Sequence, residues 1–207
     1  MKCVVGLGNP GPKYNMTRHN VGWQVLNELH SLLVDSNGQE GVNQFIGNKM
    51  VADFAEIDEW QVDVGMGSDK FLLIKPLTFM NLSGMAVKKI LRFAPQDFLL
   101  NKDLIVVHDD ASLDFGRIKV DFQASSAGQK GVQNIIDELG TKDFYRVRVG
   151  INAPRHSEMA IEDFVLGKFS AEEQDELRSR ILLQAAKAVI AIWQVGYESA
   201  CNEFNSK

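Results

Sequence analysis

Apolar residues come in short runs along this chain, and the runs change period from one to the next. Lys2–Gly6 (KCVVG) is apolar and stopped by glycine, which predicts a short buried strand. Over residues 21–33 the apolar positions fall at Val21, Val25, Leu29 and Leu32, the spacing of one helix face. Residues 36–41 are polar and glycine-containing and predict a loop. Residues 45–57 and 71–74 predict two strands, and the acidic, glycine-broken stretch 58–69 between them an exposed connection. Residues 82–94 predict a second helix, with Val87, Ile90, Leu91 and Phe93 as its apolar positions. The continuous run LIVVH, residues 104–108, has the signature of a strand buried on both faces. Beyond it, residues 117–122 alternate as a strand, Lys130–Leu139 reads as a helix and residues 145–151 as a strand. Residues 171–195 predict one long helix, and Ser170 and Glu173 have the spacing of a capping box at its start.

Strands and helices thus alternate, with no internal repeat or domain linker. The pattern predicts a single three-layer α/β/α domain over residues 1–207, built on a mixed, mostly parallel central sheet. Such sheets place ligands beyond the carboxyl ends of their strands. Polar residues stand at those ends here: Asn9 follows the first strand and Asp109 follows LIVVH.

Composition narrows the picture. With 207 residues, 45% hydrophobic and 24% charged, the chain has the means to build one sizeable core. No apolar run approaches the ~20 residues of a membrane span. Glycine and proline interrupt MKCVVGLGNPG before it could serve as a signal peptide, so a cytoplasmic location is expected. Two cysteines, Cys3 and Cys201, make neither a disulfide scaffold nor a metal cluster, and Cys3 is expected as a buried thiol. A net charge of −5 argues against a generic nucleic-acid binder but leaves room for a local basic patch.

Candidate chemistry begins with a decoy. Gly6, Gly8 and Gly11 match the dinucleotide pattern G-x-G-x-x-G, yet Pro10, Pro12 and a polar stretch follow where a helix should start. The candidates that remain each have two readings. His19 stands at a helix start, as a capping group or as a base that titrates near neutrality. Asp109 is either a turn former or the carboxylate that fixes a histidine tautomer. Asn81, in KPLTFMNLSGMAV, is either an N-cap or a donor to a carbonyl oxygen. Phe79 and Met80 before it belong to the core or line a cleft. Arg146 and Arg148 alternate onto one strand face, either as a solvated edge or as phosphate contacts.

In order and spacing, GLGNPGPKYNMTRHNVGW, KPLTFMNLSGMAV, IVVHDDASLDFGRIKV and FYRVRVGI followed by FVLGKF resemble bacterial peptidyl-tRNA hydrolase. The resemblance runs from about residue 3 to about residue 169. It implies cleavage of the ester joining a peptide to the 3′ ribose of tRNA; that chemistry needs no metal or cofactor, the sequence offers no His/Cys ligand cluster, and in the absence of a strong interface signal a monomer is expected. It further implies His19 as general base, Asp109 as its partner, Asn9 gripping the peptide, and Asn81 positioning the carbonyl and water. Tyr14, Phe79 and Met80 would meet the 3′ end of the tRNA. Lys119, Lys130, Arg146 and Arg148 are the candidates for phosphate contacts. Residues from about 155 to 207 would supply a lid and a C-terminal helix.

The chain departs from the family at one stretch. Where relatives carry a glycine-histidine-asparagine-glycine sequence, SSAGQKGVQ places Gln129 at the histidine and Lys130 at the asparagine. Asp121 stands where relatives often have a basic residue. Lys130 either replaces the asparagine at a phosphate or ribose, or weakens catalysis. The second case would make the chain an RNA-binding module that has lost its activity.

Overall fold

The LIVVH run lies in the interior of a seven-stranded sheet. The structure is a computed structural model that describes residues 1–35, 49–63, 68–153 and 159–206. Its strands are β1 (Lys2–Gly6), β2 (Lys49–Ala52), β3 (Ala55–Asp63), β4 (Ser68–Pro76), β5 (Leu104–Asp114), β6 (Ile118–Phe122) and β7 (Tyr145–Asn152), in the order β2-β3-β4-β1-β5-β7-β6. The inner block β4, β1, β5 and β7 is parallel, while β2, β3 and β6 run antiparallel to their neighbours.

The helices are α1 (Val21–Asp35), α2 (Ser83–Leu91), α3 (Leu100–Asp103), α4 (Lys130–Leu139), α5 (Ile161–Leu166), α6 (Ala171–Glu176), α7 (Leu182–Gln194) and α8 (Tyr197–Phe204). Strand alternation sorts the core into two layers. Val4, Ile105, Val107, Val147 and Val149 face α1 and α7, whereas Cys3, Val5, Leu104 and Val106 face α2 and α4. Each such aliphatic side chain taken fully from water contributes about 1.5–3 kcal/mol. That gain on both faces explains why LIVVH shows no polar alternation.

From the adjacent strands β1 and β5 the chain departs to opposite faces, to α1 on one side and, by way of β6, to α4 on the other. A crevice therefore opens past their carboxyl ends. Gly6 and Gly22 bring α1 hard against it. A Cβ on Gly22 would lie 2.5 Å from Leu7 N and 2.6 Å from Val107 O, and one on Gly6 would lie 2.5 Å from Gly22 O. Part of the decoy glycine pattern thus serves backbone contact between helix and strand.

Several boundaries differ from the sequence reading. The strand expected over 45–57 is a hairpin: β2 and β3 pair in antiparallel register with Ala52 opposite Ala55, and residues 45–48 lie outside the described residues. The loop expected at 36–41 also lies outside them. The exposed connection expected over 58–69 is largely strand, because Asp58 to Asp63 complete β3 and pair with β4 from Leu73 to Ser68. Buried Ala55 and Ile57 anchor that strand. The long C-terminal helix has the expected capping box at Ser170 and Glu173 but passes through a π-helical turn, Leu177–Ile181, before α7. Gly196, at φ 88°, ends that run and starts α8. Among the described residues, no helix is long and apolar enough to cross a membrane.

Candidate active site

At the carboxyl end of β1 the chain runs on through Leu7, whose N–H donates to Val107 O at 2.9 Å, and delivers Asn9 to the crevice. Asn20 then clasps Asn9 with its side-chain amide. Its Oδ1 accepts from Asn9 N and its Nδ2 donates to Asn9 O, both at 2.9 Å. Asn9 Oδ1 in turn accepts the backbone N–H of Met80 at 2.8 Å. That bond fixes the flip of the Asn9 amide and leaves its NH₂ as the group a ligand can use.

His19 and Asn20 sit in a single 3₁₀ turn, Arg18–Asn20, directly ahead of α1. His19 Nδ1 meets Asp109 Oδ2 at 2.8 Å, and both side chains are buried. Gln129 Nε2 donates to the other oxygen, Asp109 Oδ1, at 2.9 Å. Burial pulls the His19 imidazolium down, but the charge and hydrogen bond of Asp109 outweigh it and leave the pKa above its ordinary 6.5. Burial likewise pushes the Asp109 carboxyl up, and His19 with Gln129 brings it below 3.8. The pair is therefore a carboxylate holding an imidazole by Nδ1, and Nε2 is the ring nitrogen available to a water molecule. His108 differs: it is fully buried, its Nδ1 lies 2.7 Å from Asp109 O, and burial holds its pKa below 6.5.

Asn9, His19, Asp109 and Gln129 line a cleft of about 420 Å³ together with Tyr14, Phe79, Met80, Asn81 and Lys130. All the residues assigned to catalysis or to the tRNA 3′ end by resemblance thus share one cavity. Asn81 is exposed within a 3₁₀ turn, Met80–Leu82, and Leu82 rather than Asn81 occupies the N-cap position of α2. Met80 is buried, with its sulfur 3.1 Å from Gln129 Nε2. Lys130 stands at the rim, 3.5 Å from Glu162 of α5, and both side chains are exposed.

The remaining basic candidates fall elsewhere. Arg146 is not a phosphate contact: it is fully buried, donates from Nη1 to Ser125 O at 2.5 Å, and lies 4.8 Å from the Phe144 ring centroid. Burial, opposed by Asp121 and aided by Arg148, pushes its pKa down to about 10. Arg148 is committed as well. Its Nε and Nη2 lie 2.6 and 2.5 Å from Asp110 Oδ2, and its Nη1 pairs with Asp121. The expected solvated edge fails for a topological reason: β6, not β7, is the last strand of the sheet. Lys119 remains partly exposed on β6, 3.6 Å from Asp121.

Sequence reasoning missed Arg18, Asn20 and the contact made by Gln129. Arg18 is a buried strut beneath the histidine. It reaches Lys168 O through Nη1 and Glu173 Oε2 through Nη2 at 2.6 Å, and its guanidinium stacks 4.6 Å from the Phe164 ring centroid and 5.0 Å from that of Phe169. Its backbone N–H donates to Gly167 O at 3.0 Å, and Thr17 bridges to Lys168. The signal available was adjacency, since Arg18 and Asn20 flank His19.

The family model described as peptidyl-tRNA hydrolase matches residues 3–207. The chain belongs to the peptidyl-tRNA hydrolase family. A peptidyl-tRNA hydrolase from Thermodesulfovibrio yellowstonii is 37% identical, with 99% of each chain covered. One from Geotalea daltonii is 38% identical over 100% of this chain and 97% of its own. A crystal structure of peptidyl-tRNA hydrolase from Acinetobacter baumannii at 1.00 Å superposes with a TM-score of 0.74 at 26% identity, covering 99% of this chain and 94% of that one. A complex of peptidyl-tRNA hydrolase with N-propanol gives 0.77 at 25% identity, with the same coverage. Membership over the full length makes this chain a peptidyl-tRNA hydrolase.

Proposed function

We propose that the cleft cleaves the ester between a peptide and the 3′ ribose of tRNA by general-base attack of water, with His19 as the base. The observation that carries this reading is the 2.8 Å pair of His19 Nδ1 and Asp109 Oδ2 opening onto a cavity that also holds Asn9 and Asn81. Water approaches the ester carbonyl and gives its proton to His19 Nε2. The imidazolium is stabilised by the Asp109 carboxylate. The new C–O bond forms as the carbonyl becomes an oxyanion, to which the Asn81 side-chain NH₂ donates a hydrogen bond. On collapse the bond to the 3′ oxygen breaks, and His19 returns the proton to that oxygen. Asn9 NH₂ donates to the peptide and so separates blocked from free aminoacyl-tRNA. Tyr14 and Phe79 offer surfaces to the terminal base and ribose, buried Met80 forms the floor beneath them, and Lys130 faces a phosphate or the ribose.

General-base catalysis contributes about 10²–10⁴ in rate, and one oxyanion donor about 10²–10³. An ester has a better leaving group than an amide, so these contributions suit the task. The alternative of a binding module without activity rested on Gln129 and Lys130. Gln129 supports Asp109 and Lys130 stays at the rim, which favours turnover. The chain acts as a monomer in this scheme.

The test is peptide release from an N-blocked aminoacyl-tRNA. The unmutated protein releases the peptide and spares the unblocked form. His19→Ala loses turnover by at least about 10²-fold and keeps tRNA binding. RNA binding without turnover in the unmutated protein rejects the proposal.

A further inference from the structure

We propose that Gln129 is a positioning residue of the hydrolytic centre: its amide fixes the Asp109 carboxylate, and through it the orientation and tautomer of His19. This inference rests on the hydrolytic reading of the cleft.

The amide cannot be turned the other way. Gln129 Oε1 accepts from Val132 N at 2.8 Å, and only an oxygen can do so. Nε2 must then face Asp109 Oδ1, 2.9 Å away, and an N–H is the only group that suits a carboxylate there. The second amide hydrogen points to Met80 Sδ at 3.1 Å. A buried amide with every group engaged is held in one rotamer, and so is the carboxylate it holds.

A simple helix-capping role does not account for the residue. Gln129 occupies the N-cap position of α4, but serine, threonine, aspartate and asparagine are the favoured caps. Those shorter side chains would satisfy Val132 and stop short of Asp109. The length of glutamine serves the second contact. The bonds also close on themselves: Asn20 holds Asn9, Asn9 holds Met80, Met80 meets Gln129, Gln129 holds Asp109, and Asp109 holds His19, the neighbour of Asn20. Gln129 is the link of this ring that comes from the α4 side of the sheet.

The direction of the effect follows from hydrogen bonding to the charged form. The amide disperses the carboxylate charge and so tempers the attraction of Asp109 for the His19 proton. The other charged or titratable neighbours are His108 and Asp110 on β5, Lys130 at the start of α4, Glu162 on α5, which pairs with Lys130, and Tyr14 in the segment between β1 and α1. None of them replaces an N–H on Oδ1.

Gln129→Ser separates the two roles, because serine caps the helix and cannot reach Asp109. The readouts are the pH profile of kcat and KM on N-blocked aminoacyl-tRNA and the NMR titration of the His19 imidazole, which needs no turnover. For Gln129→Ser the expected result is a kcat lowered about tenfold, KM nearly unchanged, and a His19 titration moved to higher pH. Gln129→His keeps one N–H donor of similar reach and recovers most of both. Unchanged kcat and imidazole titration in Gln129→Ser would overturn the proposal and leave Gln129 a cap. If Gln129→Ser fails to fold, a Gln129→His protein titrating and turning over like the unmutated one supports the proposal, and one that does neither overturns it. A moved imidazole titration in a protein with no turnover at all would reject the hydrolytic reading and leave the positioning role standing.

Discussion

A single imidazole sets opposite demands on activity and on stability. His19 acts as a base only when neutral, and its pKa is raised, so activity falls as pH drops through a value above the ordinary 6.5. Its contribution to folding has the reverse sense. A raised histidine pKa stabilises the fold fully below the unfolded value and loses that contribution as pH rises through the folded one. Asp109, depressed below 3.8, contributes above its unfolded value and loses its share as pH falls through the folded one. The pair therefore stabilises most in mildly acidic solution, where catalysis is failing. Asp109→Asn removes the charge that raises His19. We expect kcat to fall about 10²–10⁴-fold and the acid limb of the pH profile to move down. Thermal melts across mildly acidic and mildly alkaline buffers should show the acid-side advantage of the native protein shrinking in this variant.

At the scale of elements, the tightest constraint is where α1 crosses the ends of β1 and β5. Gly22→Ala drives a methyl group into backbone atoms 2.5–2.6 Å away, which cannot yield as a flexible side chain would. We expect a cost of about 2–3 kcal/mol, seen as a fall in Tm of about 5–10 °C. Elements were legible wherever burial wrote a period into the chain, as in β1, LIVVH and α4. They were missed where the signal was short or contrary. The β2–β3 turn carries Asp53 and Phe54 without a glycine, and α5 spans only six residues. The acidic residues from Asp58 to Asp63 resembled a loop because an outer strand can carry polar residues and still pair by its backbone. The His19–Asp109 pair was legible through the family resemblance carried by the motifs around each residue, since each residue alone left two readings open. Arg18 was not, because its meaning lies in Phe164, Lys168 and Glu173, far along the chain.

Over the whole molecule, charge is balanced close to home. With a net charge of −5 and Arg148 held between Asp110 and Asp121, the β6–β7 region offers little free positive charge to a polyanion. KM for tRNA substrates should therefore depend weakly on salt, with a log–log slope of no more than about 2. Asp121→Asn removes one local negative charge. We expect it to tighten tRNA binding and steepen the slope by about 1, measured by KM at a series of salt concentrations.

The strut formed by Arg18 bears on how the molecule is born. Every nascent chain, this one included, is itself a peptide esterified to a tRNA, the very bond the finished molecule cuts. Arg18 and Lys168 are 150 residues apart, so the turn that carries the base has no carbonyl to rest on until most of the polypeptide has left the ribosome. Translation order thus withholds this strut from the turn that carries His19 until late in the chain's synthesis.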